Sequence, residues 1–401
     1  MGSLTKKAAI VGVHEFPLRR VPDYTQMRVE AECAKAALED AGLSLKDVDG
    51  YFGVTAPVDA MNGAVMCDYL NINPKIIDDT NVGGASFLVH LMQAASFISS
   101  GLMNVGLITY SQVTTSRGRS WQDGHGRQVV PTASPSFRPP PRAPWWSDAF
   151  HSPYGLVTAA GYAQVAQRHM QEYGTTSEQL AEIAVATRYH ASMNPEALYQ
   201  SPITIEDVVN SRVVASPLHL LDCCVITDGG GAVVVASPEV VRDCKHPPAW
   251  YLGGAMAVEH RSAGYRDFTR IAAARCGARA FADAGVTHKD IDVAQLYDSF
   301  TITVLTTLEG LGFCGFGEGG AFVEGGRLRL DGELPLNTDG GGLSSNHPGA
   351  RGIFLLLEAT RQLRGNEGQR QVKDCKIAVC HGTGGGLGTI HSGATVILAK
   401  D

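Results

Sequence analysis

The stretch Ala37–Asp49 reads ALEDAGLSLKDVD, and far downstream Ala280–Asp292 reads AFADAGVTHKDID. Seven of the thirteen aligned positions are identical, and Leu38/Phe281, Leu43/Val286, Ser44/Thr287 and Val48/Ile291 are conservative pairs. In each copy the pattern predicts a helix ending at glycine, then a polar turn, then an apolar strand. Alanine-rich helices resemble one another by chance. The shared turn G-x-[ST]-x-K-D-[VI]-D does not follow from composition, and it points to an internal duplication.

Working outward, residues 6–16 (KKAAIVGVHEF) read as a buried strand. Residues 26–41 read as a helix with Ala and Leu on one face and Gly42 as its C-cap. Asn81-Val82-Gly83-Gly84 precedes an apolar helix over 86–100, and Thr338-Asp339-Gly340-Gly341-Gly342 precedes a helical run over 353–364. Strands over 105–110 and 376–380 follow these helices. Alternating strands and helices predict an α/β architecture with packed sheets. The pattern breaks over 237–248 (SPEVVRDCKHPP), which divides the chain into a first half, 1–245, and a second half, 246–401. An insertion over 113–215 belongs to the first half. It opens with a loop, 113–157, carrying PTASPSFRPPPRAPWW, and continues into helices over 161–173 and 177–192. So long a loop inside a compact domain marks a candidate cap over a substrate. Thr176 is placed to cap the second helix, but Glu178 comes one residue early for a capping box.

The 401 residues carry a net charge of −7, with 44% hydrophobic and 18% charged side chains. No basic block is present, so nucleic acid is not an expected partner. No apolar run reaches membrane-spanning length, and the N-terminal MGSLTKKAAIVGV lacks the apolar core of a signal peptide. Nine cysteines are scattered without a C-x-x-C pair, which argues against a disulfide framework or a zinc ribbon in this chain. A reduced, cytoplasmic protein is expected.

Three motifs in the second half carry chemistry: Tyr297-Asp298-Ser299-Phe300, Asn346-His347-Pro348, and Cys380-His381-Gly382-Thr383-Gly384-Gly385-Gly386. In their order and spacing they resemble the three C-terminal signatures of the thiolase superfamily. Residues 168–195 and 211–235 are similar to its sterol-carrier-type branch, and the likeness covers essentially the whole chain. Within that branch the chain looks like thiolase-like proteins that pair with a small OB-fold/zinc-ribbon subunit, among them retro-aldolases of steroid side chains. The resemblance implies a duplicated five-layer αβαβα fold with a loop-rich insertion, a homodimer, and an acyl-coenzyme A thioester as substrate. It implies no tightly bound cofactor and no metal.

The departures from the family pattern are chemical. Thiolases place a nucleophilic cysteine at a helix N-terminus, where N–H groups and the dipole activate it. Here that turn is Thr80-Asn81-Val82-Gly83-Gly84-Ala85-Ser86, and no cysteine lies between Cys67 and Cys223. Ser86 has no visible activating base and reads as a cap. Tyr297 stands where the family has Asn or His, and a phenol can donate to an oxyanion or move a proton. His347 matches the family's G-H-P histidine. Cys380 and His381 compete for the third signature; aligning on H-N-x-G favours His381, and Cys380 ends a buried strand. The backbone at Gly84, with Asn346 and Gly384, completes the expected oxyanion and substrate-binding set.

Such a site suits retro-aldol cleavage of a β-hydroxyacyl-CoA, with Tyr297, His347 and His381 as catalytic groups. The alternatives are a thiolase or acyltransferase, working by direct coenzyme A attack or through a displaced Cys380, and a non-catalytic acyl-CoA-binding scaffold.

Overall fold

The computed structural model describes residues 4–54, 62–113, 115–116, 158–259, 267, 269–387 and 391–401. Most of the loop expected over 113–157 therefore lies outside the described residues.

Strands β1 (Ala9–Glu15), β2 (Gly50–Phe52), β3 (Ile76–Asp78), β4 (Val105–Gln112) and β7 (Gly229–Ala236) belong to the first half. Strands β8 (Ala249–Glu259), β9 (Val293–Leu296), β10 (Ile377–Gly385) and β11 (His391–Ala399) belong to the second. Across the sheet they run β3-β2-β4-β7-β1-β8-β11-β10-β9. From the β1–β8 junction outward, the orders β1-β7-β4-β2 and β8-β11-β10-β9 mirror each other strand for strand, as a duplication requires. A small separate pair, β5 (Val213–Ala215) and β6 (Leu218–His219), lies in the insertion.

The two repeat segments are built by the same contacts. Helix α1 (Gln26–Ala41) ends at Gly42 with φ 80°, and the corresponding second-half helix, Ala273–Ala284, ends at Gly285 with φ 68°. Both are left-handed positions that glycine takes without strain. In the following turns Ser44 N–H donates to Asp47 (2.8 Å) and Thr287 N–H donates to Asp290 (2.7 Å). The last aspartate of each copy then accepts from the first N–H groups of the neighbouring parallel strand. Asp49 takes Val105 N–H (2.8 Å), and Asp292 takes Ile377 N–H (2.8 Å).

The helices continue with α2 (Asn62–Leu70), α3 (Ser86–Ser99), α4 (Thr158–Tyr173), α5 (Ser177–Ser192), α6 (Ile205–Val209), α7 (Pro238–Val241), α8 (Ala273–Ala284), α9 (Thr301–Leu311), α10 (Gly319–Val323) and α11 (Gly352–Arg364). Helices α3 and α11 pack on each other and on strands of both halves, forming the middle layer. Helix α1 covers the outer face of the first-half strands, and α8 covers that of the second half. The result is the five-layer α/β arrangement. Insertion helices α4 and α5 lie on α9 and share its apolar core, where Tyr162 stacks on Phe300 with ring centroids 4.3 Å apart.

One local reading is corrected. The N-terminal box of α5 is closed by Gln179 rather than Glu178: Thr176 N–H donates to the Gln179 amide oxygen (3.1 Å), and Thr176 accepts from Gln179 N–H (3.3 Å). Glutamine serves at that place as glutamate does. The glycines at 340–342 precede α11, as expected, at the distance of one further turn. They open a separate turn over Gly341–Ser345, and Asn346–Arg351 is the segment that enters the helix.

Candidate active site

Tyr297 follows the last residue of β9 and turns into the middle layer, where it is buried against the turn that starts α3. His347 lies in the segment entering α11. The phenol oxygen of Tyr297 and Nε2 of His347 are 2.9 Å apart, with the rings edge to face at 5.6 Å. With the imidazole proton on Nδ1, Nε2 accepts from the phenol, whose oxygen also lies 3.4 Å from Gly349 O. Burial, and next the positive charge of Arg351, push the His347 pKa down to about 4, so the imidazole is neutral at pH 7. Burial also holds the Tyr297 phenol well above its ordinary value, with the Cys224 thiol adding to the shift. The pair is thus a neutral base bonded to an intact phenol.

The loop carrying His347 is clamped from several sides. Tyr110 on β4 accepts from Ala350 N–H (2.9 Å), and its one hydroxyl proton is shared between Gln112 Oε1 (2.7 Å) and Pro348 O (3.1 Å). His347 N–H donates to Thr227 Oγ1 (3.1 Å), and Gly349 between these anchors has φ 117°. Beneath the loop, the fully buried Arg351 pairs with Asp298 (3.3 Å) and Asp339 and donates to Asn346 O (2.8 Å). Burial raises Asp298 to about 6, against the lowering effect of Arg351 and of the Gly342 and Leu343 N–H groups. Burial acts upward on Asp339 too, but the charge and hydrogen bond of Arg351 hold it below its ordinary value.

Facing the dyad is a site stripped of side chains. Gly84 abuts the Tyr297 ring. On β10, the residue whose side chain would point at the Gly84 turn is Gly382, where an added Cβ would stand 3.1 Å from Gly84 O and Ala85 Cα. Helix α3 begins after Ala85 with no side-chain cap, and of its first N–H groups Ser86 donates to Gly83 O (3.1 Å) and Leu88 to Ala85 O (3.2 Å). Ser86 is committed to the turn, accepting from Val82 N–H (2.9 Å) and donating to Gly83 O (2.7 Å).

The site expected from sequence is brought together only in part. Tyr297, His347 and Gly84 meet. His381 does not, and the reason is strand alternation. Because Gly382 faces α3, His381 faces outward under α8, with Nδ1 2.8 Å from Thr395 and 3.9 Å from Cys276 Sγ. Only its backbone reaches the site, where its carbonyl accepts Tyr297 N–H (2.9 Å). Cys380 points inward but into packing, against Leu355 O (3.5 Å), with its thiol pushed far up by burial. The Asn346 amide is taken up by Thr227 (2.6 Å) and Glu15 (3.0 Å), and Gly384 lies tight against Val82 O.

A family model described as the thiolase C-terminal domain-like family matches residues 255–400. A steroid side-chain-cleaving aldolase from Thermomonospora curvata is 36% identical over 394 residues, covering 96% of this chain and 97% of the relative. This chain belongs to the thiolase superfamily. A solved Ltp2-ChsH2(DUF35) aldolase is similar in structure, with TM-score 0.85, 34% identity and 99% of both chains covered. An acetyl-CoA acetyltransferase from Methanothermobacter thermautotrophicus is also similar, at 33% identity over 96% of this chain and 98% of the relative.

Against the thiolase pattern, sequence reasoning missed four residues around the dyad. Asp298 stood inside the Y-D-S-F box but was not singled out, and Arg351 lies four residues past His347. Tyr110 carried no local signal, since only the fold brings β4 to the second-half loop. Cys224 lies close by, its N–H donating to Ser299 O (2.9 Å), and burial pushes its thiol far up. Among the described residues no group of three or more His, Cys, Asp or Glu side chains could hold a metal, and no helix is long and apolar enough to cross a membrane.

Proposed function

We propose that this chain is a thiolase-like lyase that cleaves the Cα–Cβ bond of a β-hydroxyacyl-CoA by a retro-aldol reaction, without a covalent acyl-enzyme. The observation that carries this reading is the Tyr297–His347 pair at 2.9 Å, its phenol ring lying against Gly84, a position with no side chain. The aldolase relatives support it.

The substrate β-hydroxyl gives its proton to the Tyr297 oxygen as the phenolic proton passes to His347 Nε2. The β-carbon becomes a carbonyl, the Cα–Cβ electron pair moves into the thioester, and an aldehyde or ketone leaves. N–H groups at the start of α3, beside Gly84, hold the developing enolate oxygen. The proton then returns through Tyr297 to Cα. The thioester is the electron sink, so the residues need only move one proton and stabilise one oxyanion. Asn346 and Gly384 hold the two loops in register, and His381 acts through its backbone hydrogen bond to Tyr297.

The chain works as a homodimer in a complex with a small OB-fold/zinc-ribbon protein. The structural neighbour, an Ltp2-ChsH2(DUF35) assembly, supports the second subunit. Product analysis tests the chemistry. A β-hydroxyacyl-CoA should yield an aldehyde or ketone plus one acyl-CoA. The similarity to an acetyl-CoA acetyltransferase favours thiolysis as the second reading, in which a β-ketoacyl-CoA and coenzyme A would give two acyl-CoAs. Co-purification with the neighbouring-gene subunit, followed by the same assay with and without it, tests the complex.

A further inference from the structure

Position 84, in the turn where thiolases carry their nucleophile, has no room for a side chain as the surrounding residues stand. A Cβ added to Gly84 would fall well inside contact distance of Tyr297 Cε2, 2.9 Å from Cδ2 and 2.5 Å from Thr383 O. Side-chain carbons do not approach other atoms so closely, so something must shift. The Tyr297 ring has little freedom to do so. It is buried, its hydroxyl is bonded to His347, and its N–H is bonded to His381 O. The room a side chain at 84 needs is already filled by the ring that carries the proposed acid–base group.

We propose that Tyr297 determines the reaction class: its ring and a nucleophile at position 84 are mutually exclusive. The functional half of this proposal rests on the retro-aldol reading, and the steric half stands on geometry alone. In covalent thiolysis a thiol at 84 would lose its proton, and its sulfur would attack the β-keto carbonyl of a β-ketoacyl-CoA. The Cα–Cβ bond would break, the departing acyl-CoA enolate would take the proton at its α-carbon, and the thiol of a second coenzyme A would then displace the enzyme sulfur from the acyl group. Each of these steps needs the volume that the phenol ring occupies. The exclusion has two parts. The ring is removable by substitution; the Thr383 carbonyl belongs to the β10 backbone and is not. Shortening Tyr297 should therefore relieve the clash partly.

The experiment is a pair of double-mutant cycles in the full chain. In the first, Gly84→Ala alone should lower Tm by about 3–8 °C through overpacking. Adding Tyr297→Asn should recover at least a third of that loss, although Tyr297→Asn alone does not raise Tm. In the second, the thiol introduced by Gly84→Cys is followed with iodoacetamide by peptide mass mapping. It should react at least tenfold faster when Tyr297→Asn is also present. Additive Tm changes, or equal labelling rates, would overturn the exclusion. Should Gly84→Cys not be recovered folded, the alanine cycle decides alone. Non-additive cycles in a protein whose products prove thiolytic would keep the steric exclusion and remove only the retro-aldol role of the phenol.

Discussion

The two middle-layer helices occupy matching places in the two halves, yet their entrances differ in kind. The turn into α3 offers almost nothing but backbone: Gly83, Gly84 and Ala85, with Ser86 spent on the turn itself. The segment into α11 carries His347, the Tyr110 clamp and a buried Arg351 paired with two aspartates. In the proposed reaction one entrance would supply N–H groups for an oxyanion, and the other would supply proton chemistry. A duplicated frame thus allows the halves to specialise, because the contacts that build the frame are not the ones that react. In this chain the first-half entrance has no reactive side chain, and the phenol ring of the second half lies against it.

The widest break in that comparison comes from disabling the loaded entrance. His347→Ala and Tyr297→Phe should each lower kcat by ~10²–10⁴-fold, the range of a positioned proton-transfer group. Steady-state kinetics on a β-hydroxyacyl-CoA reads this, and near-normal turnover in both would return the dyad to a packing role. Next, Arg351→Met should cost about 3–5 kcal/mol of stability in chemical denaturation, because Asp298 and Asp339 would be left buried without their cation.

The pH profile sharpens the same contrast. An imidazolium cannot accept the phenolic proton, so kcat/KM should fall on the acid side as His347 protonates through about 4. No basic limb should appear below pH 10, since the phenol is held above its ordinary value. The stability sign agrees. His347 has a folded pKa below its unfolded value of 6.5, so its contribution is complete above 6.5 and is lost as pH falls towards about 4. A limb near 6.5 would mean that the histidine is not desolvated in the working enzyme.

Tyr110→Phe should have a milder effect. It removes the hydroxyl that holds Pro348 O and Ala350 N–H without touching the dyad. A net hydrogen bond is worth about 1 kcal/mol, so kcat should drop ~5–10-fold with KM little changed. A change confined to KM would place Tyr110 against substrate instead.

The frame was largely legible in the sequence because its signals are local. A glycine after a helix, a Ser or Thr three residues before an aspartate, and an apolar run each specify their own geometry. The Tyr297 and His347 positions were legible because each sits in a short motif. What was not legible depended on one-residue parity or distant contact. Whether Cys380, His381 or Gly382 faces α3 is a matter of strand phase, and a glycine-rich run gives no side-chain pattern from which to set it. Tyr110, 237 residues before His347, comes to its loop only through the sheet order β4-β7-β1-β8.

The smallest effect tests whether the frame is still equivalent in the two halves. Asp49 accepts N–H bonds at the start of β4, and Asp292 accepts them at the start of β10, each with a shortest distance of 2.8 Å. Replacing either by alanine leaves two backbone donors without that acceptor, at a cost of about 1–2 kcal/mol. Asp49 also meets Lys75 at 3.2 Å, but that lysine is largely exposed, so the pair adds only about 0–1 kcal/mol. Asp49→Ala and Asp292→Ala should therefore destabilise the protein almost equally, and neither should change kcat, because both aspartates sit at the strand starts away from the dyad. Thermal denaturation and turnover of the two variants check this together. Equal losses with full activity mean that the duplication persists in the scaffold while the chemistry has become one-sided. A second-half variant that lost activity at equal stability cost would show that the β10 register is itself tuned to hold Gly382 and Tyr297 against Gly84.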